Sequence, residues 1–179
     1  FWALMNKQYY ISEAKRAASI QINELKKIKK IFNKSFIKAV DLILNCKGKI
    51  IFAGIGKSGL IARKISATFS SVGIPSFFCD PAQALHGDMG QIEKKDILII
   101  FSYSGNTSEL TNMIKYANRY SIKIIGIASK PDSILLKASD IKLILPKVKE
   151  SDVTGMVPTT STSITCLLYT SDAADDSGC

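Results

Sequence analysis

Apolar positions along the 179-residue chain change their spacing once, and the change divides the sequence into two parts. Over 12–32, Ala17, Ile20, Leu25, Ile28, Ile31 and Phe32 fall on one stripe at helical spacing, with Ser12 placed as an N-cap. A second helix is predicted over 35–45, with Phe36, Val40, Ile43 and Leu44 inward and Cys46-Lys-Gly48 as its stop. Beyond that point short apolar runs, bounded by charge or glycine, read as strands over 49–53, 74–79, 97–101, 123–128 and 141–145. Helical patterns lie between and after them, over 60–72, 106–120, 132–138 and 161–168. In 106–120 the inward face is Leu110, Met113, Ile114 and Ala117, and 80–89 reads as a loop or short helix.

Strands that alternate with helices define an α/β protein. The expected architecture is a three-layer αβα sandwich, with N-terminal helices and a five-stranded parallel sheet of flavodoxin-like order 2-1-3-4-5. In that order a crevice opens at the carboxyl ends of the first and third strands. The glycine loop Gly54-Ile-Gly-Lys-Ser-Gly59 follows the first strand, and Phe101-Ser-Tyr-Ser-Gly-Asn-Thr-Ser-Glu109 follows the third. The fold therefore brings the two loops together.

Composition adds limits. At 46% apolar and 22% charged residues the chain reads as one soluble domain with a real core, over 1–168. Its longest apolar runs are about five residues, too short for a membrane span. No signal peptide is recognisable, which makes the cytoplasm the expected location. The net charge of +9 comes from lysines spread along helix faces such as Lys26-Lys-Ile-Lys-Lys30, with no nucleic-acid module, so neither nucleic acid nor membrane is an expected partner. Cys46, Cys79, Cys166 and Cys179 are too scattered for a zinc site or a disulfide framework. Residues 1–4 read as upstream of a start at Met5, and 169–179 as a non-native or disordered tail.

The hydroxyl-rich loop carries the chemistry. Ser102, Ser104, Thr107 and Ser108 supply donors, Gly105 lets the backbone fold close, and unpaired amides at a helix start favour an anion. Helix capping alone would need one or two such residues, so a phosphate-type ligand accounts better for the density. Lys57 is either an exposed loop lysine or a cation turned to the same phosphate. His86 is either structural or a group titrating near neutral pH at the crevice. Glu150 follows the fifth strand, and Pro158-Thr-Thr-Ser-Thr162 is a further hydroxyl cluster that caps a helix or contacts a ligand. Gly54, Gly56 and Gly59 also match a dinucleotide fingerprint, with Asp80 as the ribose acid. Against NAD stand Lys57 inside the loop and the second polar loop it would leave unexplained.

Together Gly54–Gly59, Ile74-Pro-Ser-Phe-Phe78, Ala84-Leu-His-Gly-Asp88, Ser102–Glu109 and Val157-Pro-Thr-Thr-Ser-Thr162 resemble the sugar isomerase (SIS) domain family, over about residues 12–168. Within it the chain resembles the arabinose 5-phosphate isomerases. That resemblance implies an aldose–ketose isomerase that interconverts ribulose 5-phosphate and arabinose 5-phosphate through an enediol, feeds lipopolysaccharide sugar synthesis, and uses no cofactor. It implies catalytic roles for Lys57, Glu109 and Glu150. Substrate contacts are implied at Gly56, Ser58, Gly73, His86, Ser102, Ser104, Asn106, Thr107 and Thr159. It also implies a homo-oligomer.

The chain departs from the family pattern in three ways. Asp80 stands where relatives carry a second metal-binding His, which leaves Asp80 as a weak replacement in that metal site. A His-Pro-Gly-Gly segment is missing, and so are paired CBS domains. The expectation is an isomerase domain cut short, whose activity in this form is left open; the alternative is a non-catalytic sugar-phosphate sensor.

Overall fold

A computed structural model describes residues 7–170, leaving aside the side chains of Leu85, Tyr169 and Thr170. Helix α1 (Lys7–Leu25) runs into a 3₁₀ turn (Lys26–Ile31), and α2 (Lys34–Leu44) follows. Then come β1 (Ile50–Gly54), α3 (Gly56–Ser71), β2 (Ser76–Phe78) and two 3₁₀ turns (Ala84–His86, Asp88–Gln91). The chain continues through β3 (Ile97–Phe101), α4 (Leu110–Arg119), β4 (Lys123–Ala128), α5 (Ile134–Ala138), β5 (Ile141–Ile144) and α6 (Thr160–Thr170).

All five strands are parallel, in the order β2-β1-β3-β4-β5. β1 and β3 are buried throughout, which is why they read as unbroken apolar runs. Alternate strand residues feed two cores. Phe52, Ile99, Phe101, Ile125 and Ile127 pack with Ile61, Ile65 and Phe69 of α3, Ala39 of α2, and Ile164 and Leu168 of α6. On the other face Ile51, Leu98, Ile100 and Ile124 pack with Leu110, Met113 and Ile114 of α4 and Leu135 and Leu136 of α5. The winding reverses between β1 and β3, which is the switch point of a doubly wound sheet.

Several boundaries move. α1 begins at Lys7, so Ser12 lies inside the helix, its hydroxyl donating to the Tyr9 carbonyl, and is not a cap. The helix tightens into a 3₁₀ turn after Leu25 rather than running on to residue 32. α4 begins at Leu110, because Asn106 spends its side chain on Ile134 N–H (2.9 Å) and Ser104 Oγ already accepts the Asn106 amide (3.3 Å). Leu44, expected inward, is 74% exposed; Ala39 takes the core position of α2. Residues 1–4 and the tail beyond Thr170 lie outside the described residues.

Candidate functional site

At the carboxyl ends of β1 and β3 the chain leaves a cavity of about 580 Å³. Each wall comes from one connection. The start of α3 gives Lys57 and Ser58, the loop after β3 gives Ser102, Tyr103, Ser104 and Thr107, and the stretch after β5 gives Val148, Glu150 and Met156. The first turns of α6 close it with Ser161, Thr162 and Thr165.

The β3 loop is shaped by its own hydroxyls. Ser102 Oγ is hydrogen-bonded to Thr107 Oγ1 (2.9 Å) and accepts the Gly105 amide (3.0 Å). Gly105 sits at φ +69, and a Cβ there would lie 2.2 Å from Ser133 Oγ, so only glycine fits. The amides of Ser104 and Thr107 find no acceptor among the described residues, leaving donors for an anion. Across the crevice Gly59 lets α3 approach β1: a Cβ would stand 2.6 Å from the Gly54 carbonyl oxygen. Lys57 is exposed and forms no ion pair among the described residues.

Glu150 is the carboxylate of this cavity. Its Oε2 accepts Thr159 N–H (2.8 Å), Thr159 Oγ1–H (3.0 Å) and Ser161 N–H (3.2 Å) at the start of α6. Burial pushes its pKa up, but the hydrogen bonds from Ser161 and Thr159 outweigh it and hold the group below the ordinary carboxylate value. Two residues on, Asp152 accepts the amides of Thr154, Met156 and Val157 and the Thr154 hydroxyl. Those bonds, led by Val157, hold its pKa far below the ordinary value and fold residues 151–158 into the cavity rim.

Thus the structure gathers Lys57, Ser58, Ser102, Ser104, Thr107 and Glu150 into one cavity. Other sequence candidates lie outside it. Glu109 is exposed just before α4, on the opposite face of the sheet from α6; its own amide and the Ser108 hydroxyl lower its pKa. His86 sits in a turn packed toward α4, because the β2–β3 connection crosses on that face. Gly73 follows the end of α3, at the amino end of the sheet beside Lys49 and Pro75. Asn106 is tied to α5, and the Thr159 hydroxyl is committed to Glu150. Gly56 and Asp80 line a separate recess with Arg63 and Phe78, and Asp80 Oδ1 accepts the Ala82 amide.

Tyr103 and Thr165 were not singled out by sequence reasoning. Tyr103 stands between two serines of the loop after β3, and its Oη accepts Val148 N–H (3.2 Å). Thr165 is four residues beyond Ser161 on the same helix face, and that spacing was the available signal. Burial, then Asp88 and Asp80, pushes the Cys79 thiol up to about 11.

Hydroxyls, free amides, a lysine and a carboxylate gather at the switch point of a doubly wound α/β protein. The family model for the SIS domain matches residues 43–171, and the chain belongs to that family. It is 42% identical over 161 residues to the uncharacterized protein RP505 of Rickettsia prowazekii, covering 90% of this chain and 50% of the relative. It is 38% identical over 154 residues to the arabinose 5-phosphate isomerase KdsD of Escherichia coli (strain K12), covering 86% and 47%. The chain spans about half the length of the curated relatives it matches. An E. coli CFT073 protein solved in complex with arabinose 5-phosphate superposes with a TM-score of 0.89 at 30% identity, covering 95% of this chain and 90% of that one. No helix among the described residues is long and apolar enough to cross a membrane.

Proposed function

We propose that this chain is the sugar-phosphate isomerase domain of an enzyme that interconverts D-ribulose 5-phosphate and D-arabinose 5-phosphate. The observation that carries the reading is the shared cavity, with phosphate donors on one wall and a lysine and an ionised carboxylate on the others. Ser102, Ser104, Thr107 and the free amides of that loop hold the phosphate. Lys57 neutralises negative charge on the phosphate or on the enediolate oxygen. Glu150 moves the proton between C1 and C2, with Oε2 anchored and Oε1 as the accepting oxygen. Glu109 does not line this cavity within one chain. The homologous isomerases and the neighbour solved with arabinose 5-phosphate support the pentose 5-phosphate as ligand. A cytoplasmic homo-oligomer that feeds lipopolysaccharide sugar synthesis is part of the same proposal.

Thermal melting tests it. A hundredfold excess of arabinose 5-phosphate over its Kd should raise Tm by about 5 °C, and Lys57→Ala or Ser104→Ala should abolish most of that shift. No shift at millimolar ligand would remove the assignment. The position of Glu109 outside the cavity favours, as a second reading, a sensor that binds sugar phosphate without turnover. Protection combined with no conversion of ribulose 5-phosphate, in the protein extended to its relatives' length, would select it.

A further inference from the structure

α1 buries none of its residues, yet it makes three polar contacts to the short stretch that carries Glu150. Glu24 Oε2 accepts the Lys149 amide (2.9 Å), Arg16 donates to the Ser151 carbonyl (3.2 Å), and Gln21 Nε2 donates to Ser151 Oγ (2.9 Å). The two backbone neighbours of Glu150 are therefore both held by a helix that does not line the cavity.

The Gln21 contact continues. Ser151 Oγ donates to Thr159 Oγ1 (3.0 Å), and Thr159 Oγ1 donates to Glu150 Oε2 (3.0 Å). Its direction is imposed at both ends. An amide nitrogen can only donate and an ionised carboxylate can only accept, so both hydroxyls in between must point their protons toward Glu150. The Ser163 hydroxyl lies within reach of both Gln21 Oε1 (3.3 Å) and the Thr159 carbonyl (3.1 Å), which places the far end of the Gln21 amide beside the first turn of α6. Ser151 is buried, at 3% exposure, so water does not substitute for Gln21 there. Chains of this kind polarise one another and strengthen the terminal bond. The Thr159 and Ser161 amides end on the same Oε2 as the Thr159 hydroxyl, so the anchor grips one of the two carboxylate oxygens.

We propose that Gln21 is a positioning residue of the active site, orienting the Glu150 carboxylate through Ser151 and Thr159 so that Oε2 is anchored and Oε1 is presented to the substrate. The inference rests on the reading of Glu150 as the proton-transfer group, but the geometry it describes is measurable without turnover.

Gln21→Glu keeps the size of the side chain and replaces the donor by an acceptor, which turns the Ser151 proton toward α1 and leaves Thr159 Oγ1 with the Ser151 amide (2.9 Å) as its one remaining donor among the described residues. Thr159→Ser keeps the relay hydroxyl, and Thr159→Val removes it. In Gln21→Glu and Thr159→Val, amide hydrogen exchange at Thr159 and Ser161 should rise about tenfold, with Ile99 in β3 unchanged. The kcat for ribulose 5-phosphate should fall about tenfold with KM within about twofold, and Thr159→Ser should restore both exchange and kcat. Unchanged exchange at Thr159 and Ser161 in Gln21→Glu overturns the proposal, as does an equal loss of kcat in Thr159→Ser and Thr159→Val. If the wild type, extended to its relatives' length, turns over no pentose phosphate, the isomerase reading fails, while the exchange measurement still decides whether Gln21 orients the carboxylate.

Discussion

Single residues in this protein are fixed by what surrounds them more than by their own type. Gly105 combines a left-handed backbone with a neighbour 2.2 Å from where a Cβ would stand, so Gly105→Ala is strained twice over. It should cost about 1–3 kcal/mol, read as a lower urea midpoint at unchanged m, and should weaken sugar-phosphate binding, because Ser102 and Thr107 take their geometry from that turn. A midpoint equal to wild type would mean that the loop rearranges freely. Gly105 was legible in the sequence, since glycine in a hydroxyl-rich loop has few other uses. Glu150 and Glu109 were not separable there. Both follow strands, and only the side of the sheet taken by the next helix tells them apart.

Elements differ in how they are held. β3 is a fully buried run, and its bounds match the expectation from pattern because five apolar residues between Asp96 and Ser102 leave no alternative. α1 has no buried residue to fix its start, so its boundary was illegible, as was its polar docking onto 149–151. α6 is anchored at its N-terminus by the Glu150 carboxylate. The folded pKa of Glu150 lies below its ordinary value of 4.5, so the stabilisation is fully present above that value. It is lost as pH falls through the depressed folded pKa. The Tm gap between wild type and Glu150→Gln should therefore be widest near neutral pH and close on acid titration through the depressed folded pKa. A gap that stays constant with pH would show that the anchor does not depend on ionisation.

For the molecule as a whole, the winding reversal between β1 and β3 decides where chemistry occurs. It sets α3 and α6 on one face and α4 and α5 on the other, so the connections after β1, β3 and β5 meet while the β2–β3 connection, with His86, is carried away. Alternation indicated a parallel sheet, and the order 2-1-3-4-5 that five strands fit is the one observed. The return of α6 to the α3 side was not readable, because nothing in a helix pattern states which face it covers. Net charge acts at this scale too. At +9 the protein carries a positive field toward an anionic ligand, and Lys57 is its local source in the cavity. Raising NaCl from about 0.05 M to about 0.5 M should weaken sugar-phosphate binding roughly threefold to tenfold by calorimetric titration, since the Debye length shrinks below the distance over which surface lysines act. Lys57→Ala should bind more weakly at low salt and show a shallower salt dependence. Equal slopes in the two proteins would place Lys57 away from the phosphate and leave the dispersed lysines as the whole of the attraction.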